Sequence, residues 1–308
     1  MEVITDNEVG GENWEITSRD VAVLEFISKT GVATTQQVQQ IFQSAWYHYK
    51  RLKILERRGY IIRRGRHLHI TKKGSKLIGC TQPWVRTKDH IEQGTKLSEL
   101  MLELSDSFEF ISSRMAKTMY GLNRSAIFDG LLASDSKQYT VYLLSSEPRK
   151  RTVQSIKHEI SKHAVATNLQ RAIVFAPSLK AMQAFGSDDC GTYELLLLPY
   201  PSGARLLHDF TRPEVHDYIK NLLPGTEPVS SPFADYMAGG TYVSVLVLND
   251  LVRRARLTDY FNWDLEKKPV LIVCLRSQLP LFKELYPKAE FSILPEDLLP
   301  RYKNRHAS

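Results

Sequence analysis

The sequence has only three cysteines, Cys80, Cys190 and Cys274, which lie far apart and form no Cys-x-x-Cys pair. This scarcity argues against a disulfide framework or a zinc ribbon and favours a reducing compartment. The longest apolar runs, such as 242–248, have the length of a strand and are too short to cross a bilayer. The first fifteen residues are acidic and have no apolar core, unlike a signal peptide. We therefore expect a cytoplasmic protein without a membrane segment.

The motifs of several common enzyme classes are also missing. The chain has no Gly-x-Gly-x-x-Gly and no Gly-x-x-x-x-Gly-Lys-Ser/Thr pattern, so we expect no phosphate-binding loop of a nucleotide site. It has no Gly-x-Ser-x-Gly elbow, and its histidine pairs lack the spacing of metal ligands. These absences predict a protein without a cofactor, without a metal site and without enzymatic activity.

Negative charge is almost absent from residues 44–76. This stretch contains eleven lysines and arginines and one acid, Glu56, a formal charge of +10, whereas the whole chain carries +7. The other residues therefore sum to −3, and all of the net positive charge lies in one segment that also has the pattern of a folded module. Such a concentration indicates a surface for a polyanion, and nucleic acid is the first candidate.

Caps and apolar stripes predict three helices and a hairpin over residues 16–80. The helices begin at Thr17 or Ser18, at Thr34 or Thr35, and at Ser44, and the first is ended by Gly31. Two short strands, 60–63 and 67–70, follow the third helix and surround a basic hairpin tip. Three helices and a hairpin in this order make a winged helix-turn-helix, whose third helix enters the major groove of DNA.

The phase of the third helix divides its side chains between two faces. The core side is predicted to hold Ala45, Tyr49, Leu52 and Leu55, with His48 near it as a packing residue. The outer side is predicted to hold Trp46, Tyr47, Lys50, Lys53 and Arg57, with Arg51 on the flank. Trp46 has an alternative role, which is to pack against the second helix or a dimer partner.

We expect the third helix to contact base edges and the hairpin to contact phosphates or the minor groove. Lys50 and Tyr47 are the best candidates for base recognition. The predicted DNA-binding residues are Thr35, Gln36, Ser44, Trp46, Tyr47, Lys50, Arg51, Lys53, Arg57, Arg63, Arg64, Arg66 and His67. The alternative is a winged helix that docks a protein, which the charge of +10 disfavours.

Three stretches, SRDVAVLEFISKTGVATTQQVQQIF, YKRLKILERRGYI and HLHITKKG, resemble the winged-helix start of the replication-relaxation family of plasmid, phage and integrative-element proteins. The helix with a basic residue ahead of Leu-x-x-Leu-x-x-x-Gly and the ITKKG ending at 70–74 carry the resemblance, which covers about residues 16–80. It implies a DNA-binding protein of a mobile element. Replication, DNA transfer and transcription are the processes in which such a protein would act, together with replication or conjugation proteins.

The rest of the chain alternates predicted helices and strands, so the fold class is α/β with a mixed, mostly parallel sheet behind the winged helix. The expected parts are a flexible tail at 1–15, the winged helix at 16–80, an α/β domain at 82–224, an extension or third subdomain at 241–298 and a basic tail at 299–308. Whether residues 82–224 and 241–298 form one sheet or two remains open, because the loop at 224–240 permits either. The sequence shows no internal repeat. Arg253, Arg254 and Arg256 form a basic turn, interpreted as a solvated face or a binding surface.

The order α-β-β-β-α-β over residues 89–176 is that of restriction-endonuclease-like nucleases. Such an enzyme needs an acid on its second core strand and an Asp/Glu-x-Lys on its third, which hold Mg²⁺ and activate water. Asp129 fills the first position, but the third strand, YTVYLLSS, has neither acid nor lysine. We therefore expect an inactive nuclease-like scaffold, as the resemblance also implies. The alternatives are a DNA nuclease or nickase, and a transcriptional regulator that senses a ligand in the α/β part.

The expected partner is double-stranded DNA. A single winged helix buries a modest area and usually needs a second copy for specific affinity. We therefore expect a homodimer, with the α/β part serving for dimerisation or for recruiting partner proteins.

Overall fold

The computed structural model describes residues 15–44, 46–83, 85, 87–134, 137–263 and 268–303. Over these residues the chain is a mixed α/β protein, and it divides into two compact units, Met1–Leu102 and Glu103–Ser308. The predicted tail at 1–15 lies outside the described residues except for Glu15. Of the predicted basic tail at 299–308, only 299–303 is described, and Pro300–Lys303 is a short helix there.

The first unit combines helices with a small antiparallel sheet. Its described elements are α1 (Ser18–Thr30), β1 (Ala33–Thr34), α2 (Thr35–Phe42), α3 (Tyr47–Arg57), β2 (Ile61–Arg64), β3 (His67–Ile70), α4 (Lys72–Leu77) and α5 (Lys88–Glu103), which ends at the boundary. β3 lies between β1 and β2 and pairs antiparallel with both. The predicted helices and hairpin agree with these bounds within about one to three residues, whereas β1 is too short to give a sequence pattern.

Two threonines start α1 and α2 through reciprocal hydrogen bonds with the backbone. Thr17 N donates to Asp20 Oδ2 at 2.8 Å, and Asp20 N donates back to Thr17 Oγ1 at 3.3 Å. Thr34 and Gln37 repeat the arrangement at 2.8 and 3.2 Å. Each pair satisfies amide groups that a helix start leaves without partners, so these local sequences define where both helices begin.

An ion pair joins α1 to α3 inside the first unit. The core there is built from apolar side chains of α1, α2, α3 and the sheet, among them Leu24, Val38 and Leu52, which are fully buried. Asp20 is also fully buried, and it binds the guanidinium of Arg51. Removing one partner of such a pair leaves an uncompensated buried charge, so the pair fixes α3 against α1.

The first unit extends about twenty residues past the predicted boundary at residue 80, because α5 packs on the α1–α2 connection. Gln37 Nε2 donates to Thr95 O at 3.0 Å, and Ser98 Oγ donates to Val32 O at 2.5 Å. A Cβ on Gly94 would lie 2.7 Å from Thr30 O, so only glycine permits this approach. A change of composition after residue 80 does not reveal contacts of this kind.

The second unit contains two five-stranded sheets. Its described elements are β4 (Glu109–Ser112), α6 (Ser113–Met119), β5 (Gly130–Ala133), β6 (Gln138–Leu143), α7 (Lys150–Ala166), β7 (Arg171–Ala176), α8 (Leu179–Phe185), β8 (Glu194–Pro199), α9 (Ser202–Phe210), α10 (Pro213–Lys220), β9 (Glu227–Pro228), β10 (Tyr236–Ala238), β11 (Thr241–Val245), α11 (Leu251–Trp263), β12 (Val270–Cys274), α12 (Leu279–Leu285), β13 (Glu290–Ile293), a 3₁₀ turn (Glu296–Leu298) and α13 (Pro300–Lys303). The strand orders are β4-β5-β6-β7-β8 and β9-β10-β11-β12-β13.

The two sheets repeat one topology. In each, the first three strands pair antiparallel, and the last two join in parallel through a helix before each of them. The second unit therefore contains two sheets rather than one. The expectation that the chain has no internal repeat was wrong, because the two sheets share one topology. Each sheet has two parallel and two antiparallel ladders, so the sheets are mixed rather than mostly parallel.

An aspartate occupies the same place in both sheets, directly before the second strand. Asp129 N donates to Val141 O at 2.8 Å, and Asp129 Oδ2 accepts from Leu143 N at 2.7 Å. Asp235 N donates to Val243 O at 2.9 Å, and Asp235 Oδ2 accepts from Val245 N at 2.9 Å. The equivalent bonds show that the repeat extends to individual residues. The sequence did not reveal the repeat, because β9 and β10 are short and lie in the segment that was predicted to be a loop.

We expect Asp20→Ala to lower the free energy of unfolding by about 3–5 kcal/mol, because it leaves the buried guanidinium of Arg51 without an acidic partner. The double change Asp20→Ala with Arg51→Met is expected to recover much of that loss, since no charge then stays buried. Glu92→Ala removes an exposed partner of Lys96 and serves as the control, with an effect below about 0.5 kcal/mol. Urea denaturation followed by circular dichroism measures all three. Equal effects of Asp20→Ala and Glu92→Ala would contradict this role of the pair.

Candidate functional site

α3 presents one side to the core of the first unit and the other to solvent. His48, Leu52 and Leu55 are fully buried at helical spacing, which defines the core side and agrees with the packing role expected for His48. The prediction that Tyr49 joins this side is wrong, because its side chain is 51% exposed. The buried residues of α3 form a stripe centred between His48 and Leu55, so Tyr49 falls on the solvent side.

The solvent side of α3 carries a row of cations, Lys50, Lys53 and Arg57, all of which are exposed. None of the three forms an ion pair with another described residue. Trp46 and Tyr49 lie on the same side of the helix, because residues three or four apart share a face. The exposed face of α3 therefore combines positive charge with aromatic surface along about 16 Å of helix.

Local contacts hold the start of α3. Trp46, rather than the predicted Ser44, is the N-cap of α3, although Ser44 Oγ accepts a hydrogen bond from Tyr47 N at 3.1 Å and Ser44 O lies 2.9 Å from His48 Nδ1. The ring of Tyr47 meets that of Phe42 on α2 edge-on at a centroid distance of 6.0 Å, and Tyr47 is 41% exposed. Trp46 is 83% exposed, so it does not pack against α2. Its contact with DNA or with a second copy stays a prediction.

The β2–β3 hairpin ends in a two-residue turn, Gly65-Arg66, since Arg64 pairs with His67. Gly65 has φ 61°, in the left-handed region that glycine adopts at little cost. Arg64 and Arg66 are exposed at this tip, and no described carboxylate pairs with either of them. The tip therefore presents two further cations to solvent.

Two predicted DNA-binding residues of the hairpin, Arg63 and His67, are less exposed to solvent than the arginines of the tip. Arg63 is half-buried, and its Nε lies 3.9 Å from Glu56 Oε2 on α3. His67 is half-buried as well, and desolvation, with Arg66 second, lowers the pKa of its ring below the ordinary value. His67 is therefore neutral near pH 7 and adds no positive charge there.

Thr35 and Gln36 begin α2 beside the hairpin. Thr35 N donates to Arg66 O at 3.2 Å, which joins the first turn of α2 to the hairpin tip. Thr35 is half-buried and Gln36 is exposed. Both predicted residues therefore lie near the cations of the tip.

The prediction that Arg51 contacts DNA is wrong, because its side chain is buried. Its Nε donates to Asp20 Oδ1 at 3.1 Å, and its Nη2 donates to Asp20 and to Glu15 O, the latter at 3.1 Å. In a one-dimensional pattern Arg51 resembles its exposed neighbours, because its acid partner lies 31 residues away. Arg51 is thus a core residue of the first unit, and the predicted interface loses one cation.

The predicted nuclease position holds an acid with a structural role. Asp129 accepts from Leu143 N of the neighbouring strand, as described above. Glu159 on α7 accepts hydrogen bonds from the two residues before Asp129, from Ile127 N at 2.7 Å and from Phe128 N at 3.0 Å. Among the described residues, no group of three His, Cys, Asp or Glu side chains is placed to hold a metal ion.

A cavity of about 570 Å³ lies where the two sheets of the second unit meet. β8 and the start of α11 adjoin there, because Leu195 N donates to Asp250 Oδ1 at 3.2 Å and Asn249 Nδ2 donates to Leu197 O at 2.9 Å. Arg253 binds Asp235, and its Nε lies 3.8 Å from Asp250 Oδ2. The charges around this cavity are thus largely paired with one another.

A second ion-pair group lines the same cavity. Glu194 on β8 accepts from Tyr139 Oη at 3.1 Å and pairs with Lys137 at 3.3 Å and Arg171 at 3.2 Å. Neither this group nor Asp250 was predicted from the sequence. Their partners lie on separate strands and helices, so no local pattern marks them.

Comparison with protein-family models, with curated proteins and with solved structures finds no match to this chain. In the described part of the chain, no helix combines the length and the apolar character needed to span a membrane. The resemblance of residues 16–80 to the replication-relaxation family therefore stays a prediction from the sequence.

Burial makes Asp250 sensitive to pH. Desolvation raises the pKa of its carboxyl to about 6, against 3.8 in the unfolded chain, although Arg253 acts in the opposite direction. Between these values the folded state binds a proton that the unfolded state has lost. The resulting stabilisation is complete below the unfolded pKa and is lost as the pH rises through 6, a change of about 3 kcal/mol.

We expect Asp250→Asn to remove this part of the pH dependence, because an amide has no proton to lose and keeps an oxygen for Leu195 N. Asp217→Asn, at an exposed position on α10, is the matched control and should follow the wild-type protein. Urea denaturation of the three proteins at about pH 4 and pH 7 measures the difference. The same slope in Asp250→Asn and wild type would show that Asp250 is ionised throughout this range.

Proposed function

We propose that residues 16–80 form a winged helix-turn-helix that binds double-stranded DNA, and that the protein is a sequence-specific DNA-binding protein of a mobile element. The order α1-β1-α2-α3-β2-β3, with β3 central in an antiparallel sheet, is consistent with that fold. α3 then takes the place of the recognition helix, and the β2–β3 hairpin takes the place of the wing.

One observation carries the proposal: the solvent face of α3 holds cations without acidic partners among the described residues. Lys50, Lys53 and Arg57 lie opposite the buried stripe of the helix and therefore remain solvated in the free protein. A surface that only needs to be soluble mixes charges of both signs. A face on which three cations outnumber the one exposed acid, Glu56, attracts the phosphates of a duplex and releases their counterions on binding.

Within this interface, the two elements have different roles. An α-helix fits the major groove, where every base pair offers a distinct pattern of donors and acceptors. Lys50, in the first turn of α3, lies where residues of a recognition helix contact base edges. Trp46 and Tyr49 on the same face offer apolar contact to thymine methyl groups.

The hairpin contributes contacts that are independent of sequence. Arg64 directly precedes its turn and Arg66 lies in it, and both are exposed. At that place they reach phosphates or the minor groove beside the site of α3. The hydrogen bond that Thr35 N donates to Arg66 O holds the turn next to α2, so the tip has its position in the free protein.

We assign the second unit a scaffolding role, which is either dimerisation or recruitment of replication or conjugation proteins. In each half, three antiparallel strands are followed by two parallel strands with a helix before each, which is consistent with an inactive restriction-endonuclease-like fold, although α6 intervenes between β4 and β5. Asp129 and Asp235 each commit a carboxylate oxygen to a backbone amide, and neither third strand supplies the acid and lysine of a nuclease. Replication, DNA transfer and transcription control remain the processes that the resemblance favours.

We expect Lys50→Ala to weaken binding to the cognate site by about tenfold or more while changing binding to random DNA much less, because the lost contact is to a base. Sequencing the DNA fragments that the purified protein retains supplies the cognate site. Fluorescence anisotropy on cognate and random duplexes then measures both affinities. Lys88→Ala, at an exposed position on α5, is the control. A proportional loss on both duplexes would make Lys50 a phosphate contact.

Arg64→Ala and Arg66→Ala should weaken cognate and random duplexes about equally, because phosphate contacts carry no sequence information. Each change is expected to flatten the slope of log affinity against log salt by about one. Anisotropy titrations at several salt concentrations measure that slope. If neither arginine nor any of Lys50, Lys53 and Arg57 affects duplex binding, the DNA-binding face lies elsewhere.

A further inference from the structure

A second cavity in the second unit, of about 460 Å³, differs in character from the ion-paired one. It opens near the carboxyl ends of β8 and β12, and its walls include Leu198, Leu206, Leu275 and Phe282. Its volume lies in the range of roughly 300–1,000 Å³ that small-molecule sites occupy. The crevice outside the carboxyl ends of parallel strands is also a common place for ligands in α/β sheets.

Arg254, in the first turns of α11, is the only charged residue among the described ones that line this cavity. Its Nη1 donates to Asn249 Oδ1 at 2.8 Å, and its guanidinium carbon lies 5.7 Å from the centre of the Phe282 ring. Its Nε is buried without a hydrogen-bond partner in the described chain, and no described carboxylate forms an ion pair with it. A partly desolvated cation in this state lacks the anion that would offset its burial.

The neighbouring arginine shows the contrast. Arg253 points into the other cavity, where Asp235 and Asp250 neutralise it. The two arginines stand about 100° apart on α11, so they face different surroundings. One arginine is thus neutralised within the internal structure, whereas the charge of the other, which lines the second cavity, has no described carboxylate as a partner.

The cavity walls define the class of that ligand. Gln183, Ser187 and Ser277 are polar and exposed at the rim, whereas the interior is mainly aliphatic and aromatic. A single guanidinium matches a single negative charge, and its planar fork binds a carboxylate through two hydrogen bonds. We propose that the second unit binds a small monocarboxylate with an apolar chain or ring, with Arg254 holding the carboxylate and the hydrophobic walls holding the body.

Such a ligand would contact both halves of the repeat. Gln183, Ser187 and residues 197–199 come from the half that contains the first sheet, whereas Arg254, Leu275, Ser277 and Phe282 come from the half that contains the second sheet. Because binding to the folded state alone stabilises a protein by mass action, an occupied cavity should raise the melting temperature. This proposal is independent of DNA binding by the first unit.

The test uses the full chain and three probes with the same apolar body: octanoate, octylamine and octanol. We expect octanoate to raise the melting temperature saturably at millimolar concentration, and calorimetric titration to give an affinity at least about tenfold above that of the other two. Octyl phosphate is the fourth probe and distinguishes a phosphate site from a carboxylate site. Benzoate is the fifth probe and represents a carboxylate with a ring. Equal binding of octanoate and octanol, preferred binding of octyl phosphate or octylamine, or no binding by either octanoate or benzoate would each overturn the proposal.

Variants locate the site. Arg254→Met keeps the volume of the side chain and is expected to weaken octanoate binding by about tenfold or more, and Arg254→Lys should weaken it less. Arg256→Met is the matched control, because Arg256 is exposed on the same helix and lies 3.8 Å from Asp259. Unchanged octanoate affinity in folded Arg254→Met would overturn the assignment. If Arg254→Met does not fold, Arg254→Lys and the probe comparison on the wild-type protein decide the matter.

Discussion

The buried pair of Asp20 and Arg51 is the constraint on which the proposed DNA-binding face depends. It fixes the rotation of α3 about its own axis, because Arg51 can reach Asp20 only when Leu52 and Leu55 turn toward the core. A shift of one residue would rotate the helix by about 100° and carry the exposed cations toward its neighbours. The same interaction thus stabilises the first unit and keeps its positive charge on one side. The cost of burying two charges is offset only by complete pairing, which the hydrogen bonds to Asp20 and Glu15 provide.

In the second unit, paired acids serve a comparable structural purpose in two copies. Asp129 and Asp235 each join the start of a second strand to the third strand of the same sheet. In the second copy, Arg253 adds a link from Asp235 to Asp250, at the place where the two sheets meet. These carboxylates therefore link neighbouring strands within each sheet. The repeat also creates a boundary between its halves, which is where both cavities lie.

The sequence correctly predicted features that depend on a few adjacent residues, such as the ends of helices. Thr17, Thr34 and Gly31 mark helix ends through bonds to their own neighbourhood, so their positions agreed with the sequence. Tyr49 and Arg51 were misplaced because the periodicity of a short helix defines a buried stripe only to within about one residue, and each lies at its margin. The repeat escaped notice because strands of two or three residues, such as β9 and β10, are too short to show an alternation. The boundary near residue 80 moved because α5 makes its contacts with residues far away in the chain.

By itself the sequence determined the concentration of positive charge in residues 44–76, the order of helices and hairpin that carries it, and the α/β class of the remainder. Only the tertiary structure decided which cations are free. Lys50 and Arg51 are adjacent, as are Arg253 and Arg254, yet in each pair one side chain is neutralised by acids and the other is not. The physical reason is that a charge is governed by its nearest partners in space. Those partners lie on elements that the chain brings together only when it folds, such as Asp20 on α1 for Arg51 and Asp235 before β10 for Arg253.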